Sequence, residues 1–243
     1  MNISAAPLGL TLSVVSHGHI DYIQRLLRDL NSCRGADSVN VIVTLNTPKE
    51  ALDTSPYSNL RLTVRRNTFP KGFGANHNHA FLSCDTPWFC IVNPNIHIPD
   101  QLFFEKLLHE ANSRLSECIF APLILSPSGT IEGSIRSNLT LPSLLARTPG
   151  RIKRYSSVGA IPSTGSFYWL AGMFLLVKND PFRGLGGSNE RYFLYCEDYD
   201  LCARAHLSGA RLVQLENMSV VHDARRDSHR SVHHLRLHLL SLC

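Results

Sequence analysis

Trp169-Leu-Ala-Gly172-Met-Phe-Leu-Leu-Val177 is followed by Gly186-Gly187-Ser-Asn-Glu190-Arg-Tyr-Phe193-Leu-Tyr195-Cys-Glu197-Asp198-Tyr-Asp200-Leu201-Cys202-Ala-Arg204. The first run is apolar at almost every position, which suits a strand buried on both faces. The glycine pair marks a turn, and the aromatic run Tyr192 to Tyr195 leads into Glu197-Asp198. Acidic residues at a helix start interact favourably with the helix dipole, so a helix is expected from Glu197 to near Gly209. A buried strand, a turn and an acid-led helix in this order predict an α/β fold with polar side chains gathered at one end of a sheet.

The upstream sequence has the same alternation. Residues 10–16 are apolar and β-branched, the polar turn Ser16-His17-Gly18-His19 follows, and Ile23, Leu26, Leu27 and Leu30 then recur at helical spacing. Further strands are expected at 39–45, ending in Asn46-Thr47-Pro48, at 60–64, and at 88–92, ending in Asn93-Pro94-Asn95. Between the last two, Gly72-Phe73-Gly74-Ala75-Asn76-His77-Asn78 is a glycine turn that runs into a helix. A helix at 101–115, a strand at 118–125 and two short closing strands at 211–215 and 219–222 complete the set. The expected architecture is a single α/β domain over 1–222, with a mostly parallel central sheet flanked by helices. Residues 126–166 are rich in Ser, Pro, Gly, Thr and Arg without periodicity, and are expected to form an irregular insertion. In the tail, 223–243, Arg225, Arg226, Arg230 and Arg236 lie beside Val232, Leu235, Leu239 and Leu240, as in a basic amphipathic C-terminal helix.

Composition narrows the function classes. With 44% hydrophobic and 18% charged residues the chain has enough apolar material for a core and too little charge for a disordered polyelectrolyte. Its net charge of +5 permits a phosphate-bearing substrate, but no basic stripe interleaved with aromatics argues for nucleic acid. Seven scattered cysteines without a CxxC pair indicate neither a disulfide framework nor a cysteine zinc site, as expected of a cytoplasmic protein. The first residues read as a buried strand and not as a signal peptide. The longest apolar stretch is far short of the roughly 20 residues that span a bilayer.

The whole ordered set closely resembles family 2 glycosyltransferases, especially bacterial rhamnosyltransferase-like members. It comprises the N-terminal strand and helix, the Gly-Phe-Gly-Ala-Asn-x-Asn turn, Asn93-Pro94-Asn95, the Glu197-Asp198-x-Asp200-Leu-Cys-x-Arg204 helix start and the distal Val220-Val221-His222. The resemblance implies the GT-A fold and sugar transfer with inversion from a dTDP- or UDP-sugar donor to a saccharide or lipid-linked saccharide, as in bacterial surface polysaccharide synthesis. It implies Asp198 as catalytic base with Glu197 orienting the loop or the acceptor. It also implies a nucleotide pocket lined by Ser16, His17, Asn46, Gly72, Gly74, Asn78 and Asn93. A divalent cation, Mn2+ or Mg2+, is expected at Asn95 with help from His222, although Asn95 stands where the family has an aspartate, and an amide oxygen ligates more weakly than a carboxylate.

Bland readings stand beside these. Asp200 suits a helix cap or a pairing with Arg204 at i+4. His97 suits a structural hydrogen bond. The tail suits simple packing over the sheet, or else a peripheral contact that keeps the protein at the inner face of the plasma membrane near a lipid-linked acceptor. A nucleotidyltransferase would need a basic glycine-rich loop near the N-terminus, which Ser16-His17-Gly18-His19 is not. A sugar-nucleotide-binding or scaffolding protein without turnover remains the alternative, because of Asn95.

Overall fold

The structure is a computed structural model and describes residues 9–114, 116–137 and 167–223. The tail helix and most of the expected insertion lie outside the described residues.

The chain opens with β1 (Leu10–Ser16), α1 (Ile20–Ser32), β2 (Val39–Leu45) and β3 (Arg61–Arg66). It continues through α2 (Phe73–Phe81), β4 (Trp88–Val92), β5 (Ile96–His97), α3 (Phe103–Asn112) and β6 (Glu117–Leu125). Two short strands, β7 (Ile131–Glu132) and β8 (Ile135–Ser137), lie inside the stretch expected to be irregular. Then come β9 (Tyr168–Leu170), β10 (Phe174–Lys178), α4 (Asn179–Gly184), α5 (Glu197–Leu207) and β11 (Arg211–His222).

The main sheet runs β3-β2-β1-β4-β10-β6-β11-β5, with β7 beside β6, and β8 pairs with β9 in a separate ribbon. β3, β2, β1 and β4 are all parallel, as expected of alternating strands and helices. β10 then enters antiparallel between β4 and β6, which makes the sheet mixed. The expected pair of closing strands is one strand, because β11 stays beside β6 across a register shift between Leu215 and Ser219. Its three intervening residues hid that continuity.

Both faces of the sheet are buried, which is why the strands read as unbroken apolar runs. Leu10, Leu12, Val14, Trp88, Cys90, Val92, Phe174 and Leu176 face one core with α1 and α3. Phe89, Ile91, Leu175 and Val177 face the other, with Phe81 of α2, Phe182 of α4 and Leu201 of α5. The helical spacing of Ile23, Leu26, Leu27 and Leu30 places all four in the first core, each stabilising by roughly 1.5–3 kcal/mol on burial. This packing aligns the carboxyl ends of β1, β2 and β4 along one sheet edge, with the amino end of β10 beside them. Polar turns from four strands therefore converge there.

Candidate active site

The carboxylates are positioned by strained backbone. Tyr195 (φ 72°) and Cys196 (φ 68°) both occupy the left-handed region just before α5, a conformation costing of order 1–3 kcal/mol for each non-glycine residue and common at functional sites. The turn delivers Asp198 to the strand ends. Its Oδ2 accepts the Gly172 N–H at 2.8 Å and its Oδ1 accepts the Tyr199 N–H at 2.9 Å. A Cβ at Gly172 would come within 3.2 Å of the Asp198 Cβ, so a small residue lets the acid approach the backbone. One residue on, the Met173 carbonyl accepts the Asn93 N–H at 2.9 Å, which joins the acid to the Asn93-Pro94-Asn95 turn.

Burial raises the Asp198 carboxyl above the ordinary aspartate value, opposed by the two backbone N–H groups and by the charge of Arg136 on β8. Glu197 is buried at 7% exposure, and burial followed by the charge of Asp198 pushes its carboxyl up to about 8. Its Oε2 has no partner among the described residues. Burial thus disfavours the charged form of both adjacent acids, and the charge of Asp198 disfavours it further at Glu197. Asp200 is elsewhere engaged: it holds Arg204 at 2.7 Å, and Arg204 in turn donates to the Leu185 and Gly187 carbonyls. The structural reading of Asp200 fits this tie.

The residues expected to line the nucleotide pocket divide into two groups. Asn46 is buried, and its amide is used up: Oδ1 accepts from Asn67 Nδ2 (2.7 Å) and the Lys71 N–H (2.9 Å), while Nδ2 donates to the Lys71 carbonyl (2.9 Å) and contacts His17 Nδ1 (3.1 Å). Asn67 also donates to Asn76 Oδ1, which completes a buried ladder of amides under the 67–72 loop. Asn46 thus has both ends of its amide engaged by protein groups at the strand end. The Asn78 amide is engaged likewise, by both main-chain groups of Ser188 and by Glu190. Gly72 and Gly74 each allow another part of the chain to approach closely. A Cβ at Gly72 would lie 3.0 Å from the Phe193 backbone, one at Gly74 would lie 2.8 Å from the Ser188 Cβ, and the Phe193 carbonyl accepts the first helical N–H of α2. Ser16 donates its hydroxyl to Glu50. His17 is exposed, and Asn93 follows the last residue of β4 and is partly exposed.

Sequence reasoning missed three residues. Glu50 closes the strand-end loops by accepting from Ser16, the Gly18 N–H and both groups of Thr47; burial opposes its ionisation, but these bonds outweigh it and lower its pKa. Thr47-x-x-Glu50 has capping-box spacing, a signal that was present in the sequence. Arg136, stacked 5.0 Å over the Trp169 ring, and Glu132 lie in the stretch without periodicity and gave no signal.

At the metal turn, Asn95 Nδ2 lies 3.1 Å from His222 Nε2 and donates to the Asp223 carbonyl at 3.2 Å. Arg25 of α1 clamps the same corner through Asp223 and the Asn95 carbonyl. His97 is held at 2.6 Å by Asp29, which also accepts the Ile98 N–H, and has the structural role expected of it. Among the described residues no group of three His, Cys, Asp or Glu side chains could hold a metal ion, and no helix is long and apolar enough to cross a membrane.

Rhamnosyltransferase WbbL of Escherichia coli (strain K12) is 29% identical over 231 residues, which cover 88% of this chain and 83% of that protein. The N-acetylglucosaminyl-diphospho-decaprenol L-rhamnosyltransferase of Mycobacterium tuberculosis (strain ATCC 25618 / H37Rv) is 28% identical over 258 residues, with 93% and 81% covered. The chain is a rhamnosyltransferase-like glycosyltransferase. No family model matches it. The glycosyltransferase has the GT-A fold of solved structures that share little sequence with it. Mannosyltransferase PcManGT from Pyrobaculum calidifontis, in complex with GDP-Man and Mn2+, superposes with a TM-score of 0.63 at 15% identity over 91% of this chain, which spans 59% of the mannosyltransferase. S. aureus TarS 1-349 gives 0.64 at 13% identity, with 96% of this chain and 69% of that one covered.

Proposed function

We propose that this glycosyltransferase moves a sugar, rhamnose by analogy with its curated relatives, from a dTDP- or UDP-sugar to a saccharide or lipid-linked saccharide acceptor in bacterial surface polysaccharide synthesis, with inversion at the anomeric carbon. The observation that carries the reading is Asp198, a buried carboxyl group fixed by two backbone N–H groups where the strand ends meet. The Asp198 carboxylate takes the proton of the acceptor hydroxyl while the hydroxyl oxygen attacks the anomeric carbon from the face opposite the diphosphate. The carbon–oxygen bond to the diphosphate breaks, and its electron pair leaves with the nucleoside diphosphate. Glu197, beside it, orients the acceptor loop. His17 and Asn93 contact the donor, while Ser16, Asn46, Gly72, Gly74 and Asn78 build the wall behind it. A lipid-linked acceptor would place the protein at the inner face of the membrane.

The candidate cation site offers a third of an octahedral coordination shell. Asn95 Oδ1 and His222 Nε2 are its two donors, and phosphate oxygens of the sugar donor would supply much of the rest, a common arrangement for such ions. When bound, a divalent cation would offset the charge that develops on the leaving diphosphate. Asn95→Asp replaces the N–H that now faces His222 with a second acceptor, so a cation between the two groups becomes more favourable. The Mn2+ concentration for half-maximal transfer is expected to fall about tenfold in this variant. Full activity of both proteins in excess chelator would show that the turn holds no catalytic ion.

Thermal unfolding in the presence of dTDP-, UDP- and GDP-sugars, with and without Mn2+, tests donor binding, because only a ligand that prefers the folded state raises the midpoint. An unchanged midpoint across the panel would sink the donor assignment. Asn95 favours a second reading, a nucleotide-sugar-binding protein without turnover. Tight binding by calorimetry with no sugar transfer or release would support that reading over the enzyme.

A further inference from the structure

Glu132 is on β7, 90 residues before His222 in the sequence, and its Oε2 lies 2.9 Å from His222 Nδ1. The carboxylate accepts at that distance, so Nδ1 carries a proton, and the Asn95 amide N–H aimed at Nε2 calls for that nitrogen's lone pair. That lone pair points at the Asn95 amide, 3.1 Å away, whose other N–H is turned to the Asp223 carbonyl. Asn95 Oδ1 is thereby left without a hydrogen-bond partner among the described residues. Both partners of the contact are well sheltered, with His222 side-chain exposure at 13% and that of Glu132 at 26%. β7 is placed for the task by its antiparallel pairing with the end of β6, where Ile124 faces Glu132.

We propose that Glu132 is a positioning residue for the cation site: by holding Nδ1 it fixes the ring orientation of His222 so that Nε2 is presented toward the Asn95 side chain. The inference rests on the metal half of the proposed function. A carboxylate on the far nitrogen of a ligating imidazole both orients the ring and raises its basicity, and its removal typically costs 10–100-fold in metal affinity. At this site the support matters more than usual, because the amide oxygen of Asn95 is a weak partner ligand and His222 supplies the stronger protein donor.

The test is a Mn2+ titration followed by electron paramagnetic resonance on the full chain with saturating dTDP, and separately with UDP, for wild type, His222→Ala, Glu132→Ala and Glu132→Gln, with a melting curve for each. Wild type is expected to bind Mn2+ in at least one nucleotide complex and His222→Ala to lose it. Glu132→Ala is expected to bind roughly 10–100-fold more weakly, while Glu132→Gln, whose amide oxygen still accepts the Nδ1 proton, retains most of the affinity. Wild-type affinity in Glu132→Ala beside a weakened His222→Ala overturns the positioning role and leaves the cation site standing. Equal loss in the Ala and Gln variants overturns the orientation account. Absence of Mn2+ binding by wild type overturns both this inference and the cation site, while the assignment of Asp198 is unaffected.

Discussion

Asp198→Asn is expected to lower the transfer rate by about 100-fold or more while leaving donor affinity within a few-fold. The substitution keeps the side chain's shape, and its amide oxygen can still accept from one of the two backbone N–H groups that hold Asp198. What it removes is the capacity to take a proton. Burial raises the Asp198 carboxyl above the ordinary aspartate value, which makes it a stronger base than an exposed aspartate, so wild-type turnover is expected to fall as pH drops through that raised value. Asp200→Asn supplies the control. It weakens the pairing with Arg204 that also bridges to the Leu185 and Gly187 carbonyls, so it should cost stability, about 1–3 kcal/mol for a charged hydrogen bond, with turnover largely kept. Donor affinity, transfer rate and melting temperature measured on both variants decide the matter. Near wild-type transfer by Asp198→Asn, beside a folded but inactive Asp200→Asn, would move the base to the other carboxylate.

The fold was legible because its strands are covered on both faces: β4 is wholly buried and its bounds match the apolar run at 88–92. Ile23, Leu26, Leu27 and Leu30 likewise announced α1 by their spacing alone. The short pieces were not legible. β5 and β7 have two residues each, too few for a period to show, and the reversal of β10 is a matter of pairing partners that no local pattern records. The acids of α5 were legible through their order along the chain. The roles of the amides were not, since an asparagine at a strand end reads the same whether it faces a ligand or, like Asn46, lies in a ladder with Asn67 and Asn76. Gly72 and Gly74 show the same ambiguity, because a glycine needed for close approach does not say what approaches. Here it is the backbone around Phe193 and the Ser188 side chain.

Glu197 carries the largest expected effect on stability, and its sign follows from burial. Its carboxyl titrates at about 8 in the folded protein against an ordinary value of 4.5, because burial and the neighbouring Asp198 charge disfavour ionisation. Below pH 4.5 the group is protonated in folded and unfolded chains alike and contributes no difference. Between 4.5 and 8 the unfolded chain releases the proton and the folded chain keeps it, so folding stability falls as pH rises, by about 1.4 kcal/mol per pH unit at most. Above 8 the penalty is constant. Glu197→Gln cannot ionise and escapes it, so the stability of the variant relative to wild type should climb steadily from pH 4.5 to 8 and then level. The offset between the two proteins depends on how the buried amide finds partners, whereas the slope depends only on the proton. Because the amide also resembles the protonated acid, turnover at neutral pH should stay within a few-fold of wild type, which separates Glu197 from the base. Denaturant unfolding at half-unit pH steps reads the slope. A stability difference that stays flat from pH 4.5 to 8 would mean that Glu197 ionises normally in the folded protein, and the division of roles between the two acids would then have no electrostatic basis.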